Sequence, residues 1–134
     1  MRMNQHDSRR IAMQAIFSAN QAKELSASEV EAKTMSVLNL KELSAYSQAL
    51  IAGIIEHRDE LEADITDHLK AGWRLSRINA IVVAILEVAL YEIKYREEIQ
   101  PKAAVNEALN LCDEFADPKA KPFVNGILAN FVNE

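Results

Sequence analysis

Cysteine occurs once in the 134 residues, at Cys112, so neither a disulfide framework nor a multi-cysteine zinc site can form within one chain. Glycine and proline occur three times each. An all-β sandwich or barrel needs more turn residues than that, and the abundant alanine points to helices. The longest apolar run, Ala80 to Leu90, is broken by Glu87 and is too short to cross a bilayer. The opening MRMNQHDSRR lacks the apolar core of a secretory signal, which implies a cytoplasmic protein. The glycines stand apart at Gly53, Gly72 and Gly126, so there is no glycine-rich phosphate loop, and no GxSxG elbow occurs.

A composition of 49% hydrophobic and 26% charged residues suits a single globular domain over residues 1–134. The net charge of −5 argues against a general nucleic-acid binder. Its distribution is uneven: residues 1–23 carry +3, residues 24–68 carry −7 and residues 69–134 carry −1. A basic start on an acidic body points weakly to an anionic ligand at one end, and ordinary solvated charge accounts for it more simply.

Period and punctuation predict an all-α chain of seven helices with no strand-like alternation. The first runs from Ser8, as cap, to Lys23. The second opens on the capping-box pair Ser26 and Glu29, with Val30, Val37 and Leu38 inward. The third starts near Ser44 and the fourth near Asp59, followed by Gly72 as a stop signal. The fifth, Ser76 to Tyr95, is apolar nearly all round and should be the buried spine. Pro101 opens the sixth and Pro122 the seventh.

Catalytic constellations are missing. Asp64 and His68, four apart, do not make a metal site on their own, and Cys112 lies on an apolar face. Glu92 and Glu107 sit beside apolar stripes, where a carboxylate needs a partner. They are expected to accept hydrogen bonds that lock helices together, with a catalytic pair as the other reading. No nucleophile or cofactor motif supports an enzyme, and no cofactor or metal is expected.

Three stretches carry a resemblance: RRIAMQAIF at 9–17, LEVALYEI at 86–93 with IQPKAAVNEAL at 99–109, and FVNGIL at 123–128. In order and over the whole chain they resemble the signature blocks of the NusB family of bacterial transcription antitermination factors. The resemblance implies an all-α fold of two packed helical bundles and a non-enzymatic role. It implies binding of boxA-type single-stranded RNA in ribosomal RNA leaders together with NusE, a small-subunit ribosomal protein. The pair would join the RNA polymerase elongation complex with other Nus factors and suppress premature termination.

The resemblance puts Arg9, Arg10, Gln14, Phe123 and Asn125 on the RNA surface. Phe123 can stack on a base or fill the core; Asn125 is expected to brace the backbone. Charge adds Arg2, Lys119 and Lys121, the lysines flanking a helix start that should offer free N–H groups to phosphate. If the first helix packs beside that start, Arg9, Arg10, Lys119 and Lys121 make one basic patch. Val82, Val83 and Glu87 depart from the family pattern on the fifth helix, near the implied NusE contact. Solvent-facing valines there would also suit a homodimer or another protein-interaction role with weakened RNA binding.

Overall fold

A helix with no polar side must be surrounded, and the run Ala80–Tyr95 is. In the computed structural model, which describes residues 4–132, Val82 to Leu90 are buried without a break, and Ile85 and Leu86 are fully enclosed. The described residues form seven α-helices: α1 (Gln5–Ala19), α2 (Ala27–Leu38), α3 (Ala45–Glu56), α4 (Arg58–Asp67), α5 (Ala80–Tyr95), α6 (Pro101–Phe115) and α7 (Ala120–Leu128). Short 3-10 turns lie at Leu75–Arg77 and Ala129–Phe131, and no strand occurs among the described residues. The spine α5 touches α1, α3, α4, α6 and α7, while α2 packs on α1 and α3. None of the described helices is long and apolar enough to cross a membrane.

Local signals explain most boundaries. The Ser26–Glu29 capping box forms in both directions, at 3.2 and 2.9 Å. Ser44 caps α3 by accepting from the Ser47 N–H, and Pro101 occupies the first turn of α6, where its missing N–H costs nothing. Three expectations are corrected. The first helix starts three residues earlier, capped by Asn4, because Ser8 is buried and its hydroxyl pairs with Ser44 at 2.7 Å. Val37 is 72% exposed on an open groove beside Phe17 and Ile81 rather than in the core. The seventh helix begins at Ala120, which puts Pro122 inside its first turn.

Small size decides one contact. Gly53 on α3 lies against the Tyr91 ring on α5, so that any Cβ there would overlap the phenol. The close crossing of α3 on the spine depends on that missing side chain.

Candidate nucleic-acid interface

The amino-terminal end of α1 carries the arginines of the first signature block, and most of their charge is directed inward. Arg9 is 5% exposed. Its Nε donates to Glu92 at 2.7 Å, and Nη1 lies 3.5 Å from Glu107. Tyr46 donates its hydroxyl to the same Glu92 oxygen, and Arg9 and Arg96 both lie over the Tyr46 ring. Burial pushes the Glu92 carboxyl up, against the hydrogen bond from Tyr46 and the pull of Arg9. Burial likewise works against charge on Arg9, and Glu92 more than restores it. Residues from two signature blocks and the PKAAVNEAL segment thus meet in one internal network. Glu92, buried, and Glu107, half-buried, lock helices, as expected of carboxylates with partners. Arg9, expected on the RNA surface, is instead turned inward and enclosed with these carboxylates.

His6 extends the network outward. Its Nδ1 lies 2.8 Å from Glu107 and its Nε2 2.6 Å from Glu114. Bonds to Glu107 and then Glu114 raise the imidazole pKa, so both ring nitrogens donate in the protonated form. Arg10, more than a third exposed, pairs with Asp7 at 2.7 Å and reaches Glu114 at 3.8 Å. Gln14 is half-buried, lining the groove beside Val37. Arg2 lies outside the described residues.

At the start of α7 the expected anion cradle is already filled. The N–H of Lys119 donates to the Asp117 side chain at 2.9 Å. Those of Ala120 and Lys121 donate to the carbonyls of Asp117 and Pro118, and Pro122 has none to offer. Lys121 pairs with Asp113 at 3.0 Å, whereas Lys119 is exposed. The four cations therefore do not make one free basic patch, because Asp7, Glu92, Asp113 and Glu114 sit among them. Phe123 is half-buried, packed on the core from one side and lining a surface groove on the other. Asn125 is exposed.

The expected partner surface on α5 is corrected as well. Val82 and Val83 are 4% and 9% exposed, and Glu87 is fully buried, accepting from Asn20 at 2.6 Å. An apolar helix in the middle of a bundle faces neighbours on every side, so Val82 and Val83 are not the solvent-facing valines expected, and Val83 only borders a surface recess beside Asn20 and Leu75. Burial raises the Glu87 pKa to about 7. Asp64 and His68 do not pair as ligands: Asp64 holds Lys94 at 2.5 Å, and His68 Nδ1 meets the Asp64 backbone carbonyl.

One set of surface residues escaped the sequence reading. Lys70, Trp73, Arg74 and Arg77 are exposed on the segment joining α4 to α5. A turn closed by the Trp73 N–H on the Lys70 carbonyl, with Gly72 at φ +89°, sets the indole outward. A signal was present: from His68 to Leu86 the sequence has no acidic residue and the chain's only tryptophan.

A model of the NusB family matches residues 6–133. Transcription antitermination protein NusB of Ligilactobacillus salivarius (strain UCC118) is 33% identical over 132 residues, covering 98% of this chain and 100% of that protein. The protein of the same name from Lacticaseibacillus casei (strain BL23) is 38% identical over 129 residues, covering 96% and 94%. Among solved structures, NusB of T. maritima superposes with a TM-score of 0.83 at 20% identity, over 100% of this chain and 94% of the other. A chain in a crystal structure of a plectonemic RNA supercoil gives 0.80 at 23% identity, over 94% and 91%. The structures share the fold, and the sequence matches span nearly the whole chain: it belongs to the NusB family, a family of transcription antitermination proteins and not of enzymes.

Proposed function

We propose that the chain acts in transcription antitermination by holding a boxA-type segment of a ribosomal RNA leader transcript together with NusE. The RNA-bound pair then joins elongating RNA polymerase with other Nus factors and suppresses premature termination. The observation that carries this reading is the family match over residues 6–133, and relatives at 33% and 38% identity are named for that activity. A relative of the same fold occurring in an RNA crystal structure supports RNA as the ligand.

The chain's own residues have plain parts in it. Lys119 supplies charge to phosphates, which positions a strand without reading it, and Arg10, already paired with Asp7, adds less than a full contact. Phe123 offers one ring face to a base, and Asn125, two positions further along α7, offers an exposed amide on another face of the helix. Gln14 and Lys121 stand at the margin. Arg9, through Glu92 and Glu107, holds α1 in place for the others.

Titration of labelled boxA-type and scrambled RNA, with and without NusE, tests the reading. We expect weak binding by the chain alone and preferential tightening for boxA when NusE is added. Equal affinity for both RNAs in the presence of NusE would refute it.

A further inference from the structure

An exposed tryptophan is uncommon, and Trp73 is 56% exposed with a recess on each side. On one side a groove of about 440 Å³ runs to α7, walled by Leu69, Trp73, Pro122, Phe123 and Ile127, with Gly126 beside them. On the other, a polar recess of about 480 Å³ is formed by Gly72, Trp73, Arg74 and Arg77. Lys70 stands at the rim of the first. Neither these arginines nor Lys70 takes part in an ion pair among the described residues, unlike Arg9, Arg10 and Lys121.

We propose that this double recess is a nucleotide subsite for the unpaired RNA strand. A base enters the groove between Trp73 and Phe123, and the flanking phosphates rest on Arg74, Arg77 and Lys70. The inference rests on the RNA-binding reading above and deepens it by moving the centre of the site from the start of α1 to the turn before α5. Three features argue for RNA over a protein segment. Aromatic faces beside cations are what an unpaired strand requires, since any base has a face to stack. Free positive charge is concentrated here on a molecule of net charge −5. The groove continues onto Phe123, a second partly exposed aromatic ring opposite Trp73.

The chain's single tryptophan lies in the subsite, so its fluorescence reports occupancy directly. A short unpaired RNA added at low salt should quench or shift the emission along the same curve as labelled-RNA anisotropy. Trp73→Ala should weaken RNA binding about 5- to 100-fold, and Trp73→Phe should largely restore it, as stacking on a flat ring demands. Gly126→Leu is the clean block: a Cβ there meets nothing within 4 Å, the helix gains by losing glycine, and the longer side chain enters the groove. It should leave the helical circular dichroism signal intact and weaken RNA binding about 10-fold or more, within the range of one lost stacking contact. Full RNA affinity in Gly126→Leu and Trp73→Ala would overturn the subsite while leaving the proposed function standing. Loss of NusE binding with RNA affinity unchanged would also overturn it, by assigning the groove to protein. A wild-type chain that binds no RNA, with or without NusE, would refute the functional reading itself.

Discussion

The two arginine-bearing ends of this molecule use the same residue type for opposite purposes. At the start of α1, Arg9 is enclosed with Glu92, Tyr46 and Glu107, and its charge is neutralised inside the fold. In the turn before α5, Arg74 and Arg77 stand in solvent beside an exposed indole. A guanidinium suits both roles, because its flat fork pairs with carboxylate or with phosphate. What separates the two is the presence of a carboxylate within reach, and that is a property of packing.

The largest expected effect breaks the first member of that comparison. Arg9→Ala leaves Glu92 buried without its cation, a change that typically costs about 3–5 kcal/mol. Urea unfolding should show that loss, whereas Arg74→Gln with Arg77→Gln should stay within about 0.5 kcal/mol, as surface substitutions do. Equal destabilisation by both would dissolve the distinction.

A second test sharpens it along α5, where Glu92 has a cation and Glu87 only the Asn20 amide. Burial raises the Glu87 pKa to about 7 from an ordinary 4.5. The fold therefore binds a proton that the unfolded chain releases at lower pH. This contribution to stability is whole below the ordinary carboxylate pKa and is lost as pH rises through about 7. At about 1.4 kcal/mol per pKa unit, stability should fall by on the order of 2–3 kcal/mol between weakly acidic and weakly alkaline solution. Glu87→Gln should remove most of that slope. His6 and Glu92, whose pKa values are also raised, add slope of the same sign that the variant leaves in place. A wild-type stability that is flat or rising over this interval would contradict the burial of an ionisable Glu87.

Much of the fold was legible in the sequence because its signals are local. The Ser26–Glu29 box, Pro101 at a helix start and the all-apolar spine each depend on residues within a few positions of one another. Glu92 and Glu107 were legible as locks, because a carboxylate on a buried stripe has few alternatives. The fate of Arg9 was not, since its partner Glu92 lies 83 residues away and only the crossing of α1 on α5 brings them together. Val82 and Val83 show the reverse. Their periodicity already placed them inside, and the family pattern alone suggested a surface. The exposure of Trp73 depends on one turn with a positive φ at Gly72, which hydrophobic periodicity does not register.

The salt dependence of RNA binding most directly tests where the free charge lies. Each phosphate neutralised on a single strand contributes about 0.7 to the slope of log affinity against log salt. Replacing Arg74 and Arg77 together by glutamine should reduce that slope by about 1.4, whereas Arg10→Gln, already paired with Asp7, should reduce it by well under about 0.7. A slope untouched by the double replacement, with a full phosphate's worth lost at Arg10, would place the RNA at the start of α1 and contradict this account.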